Sequence, residues 1–292
     1  MGLGRYILKA ASLAAGPAGW PPPLPPLAEC DSGVAQRLLT LELRGGQTTA
    51  TIYWPTGAPQ GVAILLHAGG ADRRSVWPWA KALGGVGLVS LAPDLDGHGS
   101  NTRPYTTVTR AAEVALAAVE AARSLDAPPF TILLGGSLGG VVALRAAELC
   151  ATPTTLGSAP GIDALALLAT PYASPFWQML SPHLFRSAWE GQQIVGQPIR
   201  RDGPRPRFAA LRDSLAREGL LESARAISSR PLLLVHGQYD PFAPPRHGEA
   251  YRHAHGSASL TVVPSAHAGA LYGDEAVAQT AKWLAAQFPT LQ

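Results

Sequence analysis

The chain has 292 residues, 47% of them hydrophobic and 15% charged, enough for one large domain or two small ones with a substantial core and too apolar for a disordered chain. A formal net charge of +3 excludes a nucleic-acid surface unless basic residues are concentrated in one stripe. The densest group, Arg200, Arg201, Arg205 and Arg207, is interrupted by Asp202, Gly203 and two prolines and reads as a solvated loop.

Two cysteines, Cys30 and Cys150, cannot build a disulfide framework, and the absence of a C-x-x-C pair gives no sign of zinc or redox chemistry. Residues 1–35 read as a flexible, proline-rich extension, with Trp20 followed by Pro21, Pro22, Pro23, Leu24, Pro25 and Pro26. The stretch from Ala10 to Ala18 is too weakly apolar for a secretory signal. Leu27-Ala28-Glu29-Cys30 has the outline of a lipoprotein cleavage site, but Glu29 stands where such sites need a small residue. A cytoplasmic location is therefore expected in preference to export, and no apolar run is long enough for a membrane span.

From residue 36 a regular series begins. Arg37–Leu43 and Thr48–Tyr53, separated by Gly45-Gly46, predict an antiparallel hairpin. Gly61–Leu66 is a continuous apolar run, as expected of a strand buried on both faces, and similar runs follow at Gly87–Leu91, Phe130–Leu134, Asp163–Leu168, Pro231–Val235 and Leu260–Val263. Helical patterns lie between or after them at Val108–Arg123, Leu138–Leu149 and Glu275–Phe288. Strands alternating with helices predict an α/β fold, a mostly parallel eight-stranded sheet with helices on both faces.

One interval breaks the rhythm. Between the sixth and seventh strands, residues 171–230 contain no strand-like run but hold Phe176, Trp177, Phe185 and Trp189, and later a helical pattern from Phe208 to Ile227. An insertion of that length is expected to carry structure, here a small helical cap whose aromatic residues bind substrate; the alternative is a loop packed on the domain edge. The core would then comprise residues 36–170 and 231–292.

The strongest chemical signal is Gly135-Gly136-Ser137-Leu138-Gly139, where an apolar strand runs through G-x-S-x-G directly into a helix. A nucleophilic serine must be held out of the strand end by a tight turn, and the glycines make room for that backbone. The competing reading is a glycine-rich turn with a helix-capping serine. A serine hydroxyl needs a base, and of eight histidines His267 follows the last strand, at the same carboxyl end of the sheet as Ser137. Asp240 follows the seventh strand and precedes His267, which suits the group that orients the imidazole; otherwise it is an Asx-turn residue before Pro241. His236 reads as structural, and His253 and His255 as part of a surface helix. The oxyanion hole needs two amides, one from Leu138 and the other from the His67-Ala68-Gly69-Gly70 segment, with Gly69 favoured over Ala68.

The order Ser137, Asp240, His267 resembles that of the α/β-hydrolase superfamily, as do the G-x-S-x-G elbow and Asp94-Leu95-Asp96-Gly97-His98-Gly99-Ser100 after the fourth strand. The resemblance covers residues 36–288. It departs from many members at His67-Ala68, where they have His-Gly. It implies a serine hydrolase with no cofactor and no metal, acting on a small-molecule ester or related acyl compound. A carboxylic ester is the first expectation. A thioesterase, acyltransferase or peptidase using the same triad, and a non-catalytic binding protein of the same fold, stand as alternatives. In this resemblance Asp96 and His98 are structural.

Overall fold

The computed structural model describes residues 35–125, 127, 130–151, 161–172, 213–214 and 218–289. Residues 1–34, most of the expected cap with its four aromatic residues, and the arginine group at 200–207 lie outside the described residues.

Eight strands form one sheet: β1 (Ala35–Leu43), β2 (Gly46–Trp54), β3 (Gly61–Leu66), β4 (Leu88–Pro93), β5 (Thr131–Gly136), β6 (Ala164–Leu168), β7 (Leu232–Gly237) and β8 (Ser259–Val263). Their spatial order is β1-β2-β4-β3-β5-β6-β7-β8. β1 and β2 pair as an antiparallel hairpin and β2 runs antiparallel to β4, while all other neighbours are parallel. The hairpin turn places Gly45 at φ 80° and Gly46 at φ 159°, backbone conformations that glycine adopts without a Cβ penalty.

The described helices are α1 (Trp77–Gly84), α2 (Val108–Ala122), α3 (Leu138–Ala151), α4 (Leu220–Ala226), α5 (Pro245–His255), α6 (His267–Tyr272) and α7 (Asp274–Gln287). Alternation along each strand assigns them to two faces. Val62, Ile64 and Leu66 of β3, with Leu133 of β5, pack with α2, α3 and α4. Ala63 and Leu65, with Ile132 and Leu134, pack with α1, α6 and α7. Every residue of β3 to β7 is buried, which explains why these strands read as unbroken apolar runs instead of alternating ones.

Two short elements were not foreseen. α1 carries Pro78 at its first turn and buries Trp79, Ala80 and Leu83, but at eight residues it offers little period to read. α6 is six residues long, and its His267-Ala268-Gly269 start reads as loop. The expected surface helix around His253 and His255 is α5, but His255 is only 3% exposed, so it belongs to the interior. Its Nε2 reaches the Arg230 carbonyl at 3.1 Å, tying α5 to the turn before β7.

The loop after β4 is held by buried charge. Arg103 is fully enclosed and grips Asp96 through two hydrogen bonds, Nε to Oδ1 at 2.9 Å and Nη2 to Oδ2 at 3.0 Å. Its Nη1 donates to Glu113 of α2 at 2.7 Å, and Nη2 also donates to the Arg110 carbonyl at 2.8 Å. Asn101 bridges the Asp94 carbonyl and Asp96. Arg103→Met keeps much of the volume but strands the Asp96 carboxylate without its cation. The variant should lose about 3–5 kcal/mol of stability, read as a fall in the urea midpoint; a midpoint equal to wild type would mean that water reaches Asp96 and satisfies it.

Candidate active site

Ser137 stands alone between β5 and α3, at φ 50°. A left-handed conformation is costly for any residue with a Cβ, and such residues concentrate where the chain must be held against its preference. The serine N–H donates to the Leu168 carbonyl of β6 at 2.8 Å, and the serine carbonyl accepts from Gly140 and Val141 at 3.0 and 3.2 Å. The ladder therefore ends and the helix begins on one residue, which throws the side chain out of both.

Glycines permit this approach. A Cβ on Gly139 would collide with the Leu66 and His67 carbonyls, and one on Gly140 with the Thr170 hydroxyl. A Cβ on Gly136 would lie 2.8 Å from Leu271 Cδ2. Leu271 sits four residues after His267 in α6, so the helix face that touches the serine elbow is also the face that carries this histidine. α6 is fixed from behind by Trp79 of α1, whose Nε1–H donates to the Leu271 carbonyl at 2.6 Å.

His267 and Asp240, 27 residues apart, meet in a buried contact of 2.6 Å between Nδ1 and Oδ2. The other oxygen, Asp240 Oδ1, accepts from the Phe242 and Ala243 amides at 2.8 and 2.9 Å. The Asx-turn reading of Asp240 is thus satisfied by one oxygen while the second serves the imidazole. Burial pushes this carboxyl up, but the charge and hydrogen bond of His267, with the two amides, outweigh burial and hold it below its ordinary value. It stays ionised beside the imidazole. The Phe242 ring stands edge-on to His267, with centroids 5.5 Å apart.

The segment after β3 lies against the start of α3. Leu138, as the first residue of α3, has an amide with no intrahelical acceptor, at the positive end of the helix. Burial raises the Tyr272 phenol; its hydroxyl donates to Ser75 Oγ at 3.5 Å and faces the Ala68 backbone, contacts that counter burial only in part. Among the described residues, no group accepts from the Gly69 N–H. That favours Gly69 over Ala68 as a second donor beside Leu138. Trp79 and Tyr272, which brace these two pieces, carry no motif; the nearest signal is the Trp77-Pro78-Trp79 helix start.

Phe176, Trp177, Phe185 and Trp189 fall in the segment outside the described residues. The last described residue before that segment, Tyr172, follows β6, and its ring lies edge-on to His247 of α5 at 4.7 Å. On the far side, Ser214 accepts from the Val108 amide at the start of α2 at 2.8 Å. Both flanks therefore lie at the carboxyl edge of the sheet, where Ser137, Asp240 and His267 also lie. Among the described residues, no helix is long and apolar enough to cross a membrane.

Known proteins share this fold. Pimeloyl-[acyl-carrier protein] methyl ester esterase of Neisseria meningitidis serogroup B / serotype 15 (strain H44/76) is 30% identical over 245 residues, spanning 73% of this chain and 88% of that relative. The structure of Est1E from Butyrivibrio proteoclasticus with bound ferulic acid superposes with a TM-score of 0.69 at 18% identity, covering 86% of this chain and 99% of the other. The Pyrococcus furiosus esterase Pf2001 gives a TM-score of 0.62 at 16% identity, covering 87% and 93%. The profile of the alpha/beta hydrolase family matches residues 63–282, and the chain belongs to that family.

Proposed function

We propose that the protein is a serine hydrolase that cleaves a carboxylic ester through an acyl-enzyme. Ser137 is the nucleophile, His267 the base, Asp240 the orienting acid, and the Leu138 and Gly69 amides form the oxyanion hole. The observation that carries this reading is the buried 2.6 Å contact between His267 Nδ1 and Asp240 Oδ2 at the same sheet edge as the left-handed serine.

In this reading Nδ1–H is committed to Asp240, which leaves Nε2 as the lone-pair nitrogen that accepts the Ser137 proton. The alkoxide attacks the ester carbonyl, and charge on the tetrahedral oxygen falls between the two amides. His267 then returns the proton to the leaving alcohol. A water, deprotonated by the same nitrogen, releases the acid and restores Ser137. The curated esterase relatives support an ester as the substrate class, and a methyl ester of an acyl chain is the first compound to try. Thioester cleavage, acyl transfer or peptide cleavage through the same residues is the alternative.

A cap over this edge is proposed within residues 171–230, with Phe176, Trp177, Phe185 and Trp189 as its substrate-binding residues, while α4 of that span packs with the core; the position of both flanks supports it. The test is reaction with a fluorophosphonate, the adduct located by mass spectrometry, followed by a panel of methyl and p-nitrophenyl esters graded in acyl length. An adduct on Ser137 with ester turnover is expected. Failure of both would move the non-catalytic reading to the front.

A further inference from the structure

His67 and His98 lie outside the proposed triad, yet both are buried and together they bracket Gly69. His67, at the tip of β3, accepts from the Leu95 amide through Nε2 at 3.0 Å, and its Nδ1 faces the Ala68 carbonyl at 2.9 Å. His98, in the loop after β4, accepts from the Gly70 amide through Nε2 at 3.1 Å, and its Nδ1 faces the Asp96 carbonyl at 2.8 Å. An amide can only donate and a carbonyl can only accept, so each ring must carry its proton on Nδ1 and a lone pair on Nε2. The two rings meet edge to face, with centroids 5.1 Å apart.

The pattern is reciprocal. Each imidazole donates to a carbonyl within its own loop and accepts an amide from the other loop. The Ala68 carbonyl is fixed by His67 and the Gly70 amide by His98, so the residue between them is held on both sides. Gly70 has φ 80°, and Gly69 has no side chain of its own to hold its orientation. Neither glycine can brace itself.

We infer that His67 and His98 are positioning residues for the oxyanion hole, aiming the Gly69 amide at the substrate carbonyl. The inference rests on the hydrolase reading above. It concerns the transition state and not substrate binding, because an amide tilted away from the developing oxyanion weakens charge stabilisation more than it weakens the ground-state complex.

His98→Phe keeps a flat ring of similar volume but leaves the Gly70 amide without its acceptor. It should lower kcat about 10- to 100-fold, with KM changed by less than about threefold, since loss of a whole oxyanion donor costs about 10²–10³. His98→Gln can offer Oε1 to the same amide and should recover most of that loss. Ser137→Ala is measured alongside. If Ser137→Ala keeps wild-type activity, the proposed site itself is wrong and the nucleophile lies elsewhere. If Ser137→Ala is inactive while His98→Phe turns over like wild type, or if His98→Gln is no better than His98→Phe, the positioning role is overturned and the hydrolase reading stands. Should His98→Phe fail to fold, the wild-type protein decides. Long-range 15N–1H correlation should find both rings protonated on Nδ1, and the Gly69 amide proton should shift when a trifluoromethyl ketone adds to Ser137. A ring protonated on Nε2, or an unmoved Gly69 amide, would overturn it.

Discussion

Ser137→Ala should lower kcat/KM for an ester by about five to six orders of magnitude, since in the proposed mechanism the base and the oxyanion hole can do little without the atom that attacks. The fold should tolerate the change. Ser137 is held at φ 50° by contacts of its backbone, the amide to Leu168 and the carbonyl to Gly140 and Val141, and alanine keeps all three. Thermal melting should therefore move by no more than a few degrees, and Ser137→Gly, which removes the left-handed penalty of about 1–2 kcal/mol, should be at least as stable as wild type. Kinetics and a melting curve on the same preparations settle both points. Undiminished turnover in Ser137→Ala would place the nucleophile elsewhere.

Asp240→Asn should cost about 10⁴ in kcat with little change in stability. The reason lies in the two oxygens. Oδ1 accepts two amides, from Phe242 and Ala243, so an asparagine must turn its carbonyl to that side. Its NH₂ group then faces His267 and can only donate. The imidazole must answer with a lone pair on Nδ1, which moves its proton to Nε2, the nitrogen that has to accept from Ser137. The substitution thus preserves shape while installing the wrong tautomer. Comparison of kcat across pH 6–9 for the two proteins would measure it; equal profiles would mean that another carboxylate orients His267.

The sheet was legible because β3 to β7 are buried on both faces and so appear as apolar runs bounded by loop residues, and the hairpin because its double glycine separates two alternating segments. The serine turn was legible for a local reason: Gly135, Gly136, Gly139 and Gly140 mark the close contacts that let α3 begin against β3 and β6. The contact between Asp240 and His267 could be anticipated only by counting strand ends, since neither residue is distinctive in its own neighbourhood. α6 was missed because a six-residue helix beginning His267-Ala268-Gly269 derives its stability from Trp79 and the elbow, not from propensity. The bracket around Gly69 was invisible for the same reason, as His67 and His98 meet across 31 residues and two loops.

The number of enclosed imidazoles has a consequence for the environments in which this protein can persist. His67, His98, His236, His247 and His255 all lie in the interior, and burial holds each below its ordinary proton affinity, His98 at about 3 and His247 at about 4. In the unfolded chain these side chains would take protons near 6.5. Between that value and the folded one, the unfolded state binds more protons, so stability rises with pH through the window and is fully present only above it. His98 alone removes about 1.4 kcal/mol for each pH unit below 6.5 until its own titration near 3. Melting temperature should therefore be flat from pH 7 to 8 and fall progressively once the medium is acidified below pH 6. A flat curve down to pH 4 would mean that water or a shifted loop satisfies the protonated rings. On this account brief exposure to mild acid, as in low-pH elution, should cost this protein stability that neutral storage preserves.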